Sequence, residues 1–157
     1  MTKIQLKNIL KTSYEATLVF LQFLIISLHF FQWEFIPQKQ IIQVSTLSYL
    51  IGFLIIIIAL IVLLVAIKNL GRNLSPFPRP LNNSNLVTTG IYRFTRHPTY
   101  YSLIFISFGV FITKLSSYYL FLSISLVLII KFKIALEEQF LKNKFKNYFL
   151  YKNKVKY

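Results

Sequence analysis

Leu50-Ile51-Gly52-Phe53-Leu54-Ile55-Ile56-Ile57-Ile58-Ala59-Leu60-Ile61-Val62-Leu63-Leu64-Val65 carries no charged side chain and no polar one. With its flanks it forms an apolar segment over roughly 45–67. About 20 mainly apolar residues in a helix cross the hydrocarbon core of a bilayer. This stretch therefore predicts a membrane-spanning helix and sets the fold class for everything around it.

Working outward, three more segments read as helical spans. The first covers roughly 14–33, from Tyr14 to Trp33, and its Glu15 stands one helical turn after Lys11, where the two can pair. The other two are Pro98 to about Thr113, short for a span, and Ser116 to about Ile130. Leu115-Ser116-Ser117 leaves room only for a tight helical hairpin between them, and beyond Ile130 the helix is expected to continue through Lys131, Lys133 and Glu137-Glu138. In the C-terminal segment Phe140, Leu141, Phe145, Tyr148, Phe149 and Val155 recur at near-helical spacing among Lys142, Lys144, Lys146, Lys152, Lys154 and Lys156. That pattern predicts an amphipathic helix on an anionic membrane surface. The expected architecture is an all-α integral membrane protein with about four transmembrane helices and a C-terminal amphipathic helix. It forms one domain over 1–157, with two N-terminal spans in 1–70 and a core in 71–157.

Composition agrees. The chain is 55% hydrophobic, above the 45–50% usual for soluble domains. The absence of cysteine excludes disulfides, zinc-thiolate sites and cysteine nucleophiles, and two histidines with four acids leave little for a metal cluster. The net charge of +14 sits beside apolar spans rather than on a soluble module, which argues for membrane flanks and against nucleic acid. Lys and Arg number three in the N-terminal tail, five in the 68–98 loop and eight from Lys131 onward, against Lys39 and Lys114 alone in the opposite loops. The positive-inside rule then places both termini and the 68–98 loop in the cytoplasm. The first eleven residues, polar and basic, do not have the form of a cleavable signal.

The polar residues at the membrane boundary suggest a site. Pro76-Phe77-Pro78-Arg79-Pro80 is a stiff segment suited to hold the loop over it. In Arg96-His97-Pro98-Thr99-Tyr100, Pro98 suits the first position of a helix, so His97 flanks an N-terminus whose free amides favour an anion such as a carboxylate. Arg93 and Arg96 add charge. Glu137 and Glu138 are half of the acids in the chain, and Lys133 and Lys142 stand at pairing distance along the helix. His29, with Gln22 and Gln32 in the first span, reads as a structural residue facing other helices.

Together these residues resemble the isoprenylcysteine carboxyl methyltransferase family, itself related to membrane phospholipid methyltransferases. The resemblance covers roughly 70–157. It rests on Leu86-Val87, Gly90-Ile91-Tyr92, Arg96-His97-Pro98-Thr99-Tyr100, Glu137-Glu138, Phe145, Tyr148, Tyr151 and Val155, in that order. It implies a multi-pass membrane methyltransferase with S-adenosyl-L-methionine as cofactor, bound by Ser84, Asn85, Leu86, Val87, Tyr92, His97, Pro98, Thr99, Tyr100 and Glu137. Lys133 occupies the position of the family's acceptor-contacting arginine, keeping the charge but not the bidentate fork. Ser102 and Lys146 stand where glycine is common. The implied acceptor is a membrane lipid or a prenylated small molecule or protein, methylated at a carboxylate. An amine acceptor would need a base, for which His97 and Glu138 are the candidates. Two rivals remain: an NADPH-dependent membrane reductase of related architecture, and a non-catalytic membrane protein that retains the fold.

Overall fold

The computed structural model describes the backbone of residues 3–30 and 39–156, and the side chains of 12–30 and 39–156. Gln32, Trp33 and the Lys11 side chain, and with it the expected Lys11–Glu15 pair, lie outside the described residues. The described residues form five helices and no strand: α1 Lys3–Phe30, α2 Thr46–Leu70, α3 Pro98–Lys114, α4 Ser117–Lys144 and α5 Tyr148–Lys154. Single turns of 3-10 helix lie at Gly71–Asn73 and Gly90–Arg93. Three helices, α1, α2 and α4, are long and apolar enough to cross a membrane. At 17 residues α3 reaches only about 25 Å, the short helix expected from its sequence.

Local chemistry sets the boundaries. Ser45 caps α2, its side chain accepting from the Ser48 amide while Ser48 reaches back to the Ser45 amide. Gly71, at φ +54°, ends α2. Pro98 opens α3. The α3–α4 hairpin turns on Leu115, which takes the left-handed conformation, and on Ser116, whose side chain caps α4 through the Tyr118 amide. At that end of the bundle the Ile41 amide donates to the Leu115 carbonyl (2.8 Å), and the Ser117 amide donates to the Lys39 carbonyl (3.1 Å).

Helix α2 packs along α3, α3 on α4, and α1 on α4. The α2–α3 crossing is close because small residues face it. Gly52, Ala59 and Ala66 are the buried positions of α2, seven residues apart. A Cβ on Gly52 would lie 2.7 Å from the Gly109 carbonyl oxygen, and one on Gly109 would lie 2.9 Å from that of Gly52. The apolar core lies among α1, α3 and α4, centred on Tyr119, Leu122, Leu126 and Ile130. His29 joins these helices as a structural residue: its ring nitrogens meet the Ile25 carbonyl (2.8 Å) and the Ser107 hydroxyl (2.7 Å), and Ser107 bonds Ser123.

The C-terminal segment departs from the expected surface helix. Helix α4 runs unbroken to Lys144, then the chain turns before α5. Tyr148, Tyr151 and Val155 pack inward with Leu86, Leu141 and Phe145, and only Phe149 and Leu150 turn outward. The apolar stripe thus divides between the protein and the surface.

Candidate functional site

A cavity of about 500 Å³ opens at the end of the bundle that carries His97. That volume falls within the range of small-molecule sites. Ser84, Asn85, Leu86 and Val87 line it from the loop, together with Tyr92 from the 3-10 turn. His97, Thr99 and Tyr100 line it from the start of α3, and Lys133 and Glu137 from α4. The structure therefore brings ten of the eleven sequence-predicted site residues to one cavity. Pro98 is buried at the first position of α3 and shapes the wall without lining it.

The loop is held in place by side chains that lie before, within and after it in the sequence. The Asn69 Oδ1 accepts from the Ile91 amide (2.9 Å), and the Asn73 Oδ1 accepts from the Asn85 amide (3.0 Å). Lys144 donates to the carbonyls of Leu81 and Asn82 and to the Ser84 hydroxyl. The proline-rich strut closes one side: Pro76 through Pro80 all face the cavity. Arg79 ties the strut to α1 through Glu15 at 2.8 Å and stacks over Phe140.

Lys133 is fully buried. Its Nζ donates to the Gln22 Oε1 of α1 and to the Pro76 carbonyl (2.9 Å), and it lies 5.2 Å from the centre of the Tyr100 ring. An ammonium has three donors, and these two hydrogen bonds use two of them. Among the described residues no ion pair joins it to Glu137, as helical spacing had suggested. Glu137 instead meets Tyr100 and faces the cavity.

Glu138 has a different role. Arg96 Nη2 lies 2.8 Å from its Oε1, and Lys152 pairs with its Oε2. Arg96 also donates to the Val155 carbonyl. These contacts clasp α5 to α4 and to the segment before α3, in place of the expected Glu138–Lys142 pair. The clasp takes up the Arg96 charge, while Arg93 turns outward over Phe94. His97 Nε2 lies 3.6 Å from Glu138 Oε1, within ion-pair distance but beyond hydrogen-bond reach, so this buried ring nitrogen has no hydrogen-bond partner. The buried Tyr148 hydroxyl has none either, and both residues line the cavity. Buried polar atoms without partners are uncommon and mark places where a ligand atom fits.

Burial and the nearby Glu137 charge push the Tyr92 phenol up to about 12. Burial pushes Tyr151 up to about 12 as well, and its hydroxyl donates to the Tyr92 carbonyl at 2.6 Å. Both stay protonated through the physiological range. Ser102, at a position where glycine is common, is buried and donates to the Pro98 carbonyl (2.8 Å), so the extra atoms are satisfied within α3.

Sequence reasoning missed Gln22, Asn69, Asn73 and Lys144 as parts of the site. Only Gln22 left a signal: it stands seven residues after Glu15, so two buried polar groups share one face of α1.

The fold is an all-helical bundle with spans apolar enough for a membrane, and at one end it holds a largely apolar cavity into which a loop, the start of α3 and Glu137 of α4 bring a few polar groups. The model of phospholipid methyltransferases matches residues 47–148. The chain belongs to that family, and is a methyltransferase of the membrane. The match begins at the start of α2, so it takes in the second span as well as the 70–157 region as far as residue 148. No curated protein and no solved structure matches the chain.

Proposed function

We propose that the protein is an S-adenosyl-L-methionine-dependent methyltransferase whose acceptor is a lipid-like or prenylated molecule bearing a carboxylate. The observation that carries this reading is the convergence of Ser84–Val87, Tyr92, His97, Thr99, Tyr100 and Glu137 on one cavity whose wall holds two buried polar atoms without a hydrogen bond. These residues fit the cofactor's chemistry. The N-terminus of α3 with His97 would hold the carboxylate. Glu137 would accept from the amino group or the ribose hydroxyls, and Tyr92 and Tyr148 offer protonated hydroxyls. The bound cofactor supplies an electrophilic methyl group on a sulfonium, so the protein's task is positioning and exclusion of water.

The buried Lys133 ammonium favours an anionic acceptor. Two of its donors are occupied, its Nζ lies over the Tyr100 ring, and the residue lines the cavity. A carboxylate there is nucleophilic without loss of a proton, whereas an ammonium headgroup would need a base. Glu138 is committed to Arg96 and Lys152, which leaves His97 to supply one.

The test has two parts. Calorimetric titration of the detergent-purified protein with S-adenosylhomocysteine is expected to give saturable binding that His97→Ala and Glu137→Ala each abolish without unfolding. NADPH is expected to give none. Binding of NADPH alone would move the chain to the reductases, and binding of neither would favour a non-catalytic role. Radiolabelled methyl transfer to a lipid extract, followed by mild base, then reads the acceptor: a carboxyl methyl ester releases label as methanol. Base-stable label would mean an amine or thiol acceptor and would overturn the role given to Lys133.

A further inference from the structure

The two faces of α5 are used differently. Tyr148, Tyr151 and Val155 turn inward, and the first two line the cavity. Phe149 and Leu150 turn outward and are 66% and 70% exposed. The Tyr151–Tyr92 hydrogen bond and the Arg96–Val155 contact hold α5 beside the turn that carries Arg93 and Phe94, the latter 71% exposed. This turn leads directly into Pro98, where the apolar α3 begins.

The charge around these apolar side chains has one sign. Arg93, Lys142, Lys146, Lys154 and Lys156 are exposed, and none has an acidic partner among the described residues. The three described carboxylates at this end do not offset them, since Glu15 pairs with Arg79, Glu137 faces the cavity and Glu138 is clasped by Arg96 and Lys152. Exposed aromatic and aliphatic residues among unpaired cations form a surface complementary to anionic lipid.

We propose that the outer face of α5, with the Arg93–Phe94 turn, docks on the anionic headgroups of the leaflet at this end of the bundle. Phe94, Phe149 and Leu150 insert below the headgroups, and the five cations pair with lipid phosphates. Each basic residue near an anionic surface contributes about a fivefold preference. The docking does not depend on the methyl donor, so it is tested apart from catalysis.

The only tryptophan in the chain is Trp33. In a Trp33→Phe background, Phe149→Trp places an indole on the outer face. Leu150→Trp provides a second probe should the first fail to fold. The full-length protein is reconstituted into vesicles of brominated phosphatidylcholine with or without phosphatidylglycerol. The expected result is several-fold stronger quenching with the anionic lipid. High salt and the combined Lys142→Gln, Lys146→Gln and Lys154→Gln variant should reduce it, whereas Lys39→Gln at the opposite end should not. An indole left unquenched in both vesicles would overturn the docking. Equal quenching in both would overturn the recognition of anionic lipid.

Discussion

Glu137 and Glu138 are adjacent and chemically identical, yet one faces the cavity and the other holds the C-terminal helix. Glu138→Gln should destabilise the detergent-solubilised protein by about 3 kcal/mol, because it leaves partly buried cations without their partner, and its melting temperature should fall. Glu137→Gln should leave melting unchanged and weaken ligand binding. Gly90 sits at φ +60°, and a Cβ there would lie 1.8 Å from the Asn69 Oδ1 that accepts from the Ile91 amide. Gly90→Ala should cost at least about 1–2 kcal/mol, read in the same melt. The raised Tyr92 and Tyr151 pKa values set an alkaline limit. Folding favours their protonated forms, so that stability is full below the unfolded tyrosine pKa of about 10 and is lost as pH rises toward about 12. Tyr151→Phe should flatten the fall in melting temperature across that window. Sequence singled out the acidic pair as a candidate, with Glu137 alone assigned to the cofactor through the resemblance. Which carboxylate faces the cavity and which is clasped depends on Arg96 and Lys152, whose positions only the fold shows.

Among the elements, α2 and α4 were legible because an uninterrupted apolar run allows one reading, and Pro98 and the Leu115 turn bounded α3 by local chemistry. The C-terminal helix was less legible. An apolar stripe looks the same whether lipid or protein covers it, and the partner Leu86 lies some sixty residues earlier. The roles of Asn69, Asn73 and Lys144 were hidden for a related reason: a side chain that supports a loop's backbone leaves no periodic trace. The α2–α3 crossing is the element contact most exposed to mutation. Gly109→Val should force the helices apart against the Gly52 backbone, costing about 1–3 kcal/mol. Size-exclusion chromatography should show loss of a monodisperse species, whereas Val110→Ala beside it should leave the profile intact.

For the whole molecule, the excess of sixteen basic residues at one end over two at the other implies an orientation that can be tested directly. The chain has no cysteine, so single introduced thiols report without background. Lys39→Cys and Lys114→Cys should react with a membrane-impermeant maleimide added outside intact cells. Asn82→Cys and Lys146→Cys should react only after permeabilisation.

The contacts that close the cavity join distant parts of the chain. Glu15 meets Arg79, Gln22 meets Lys133, and Arg96 meets Glu138 and Val155. During synthesis, a chain halted before residue 133 has its first three helices but no cation for Gln22 and the Pro76 carbonyl, and no second wall behind the loop. The pocket is thus completed only after residues 133–155 have left the ribosome. A prematurely terminated product would reach the membrane yet hold no cavity in which to sequester a metabolite.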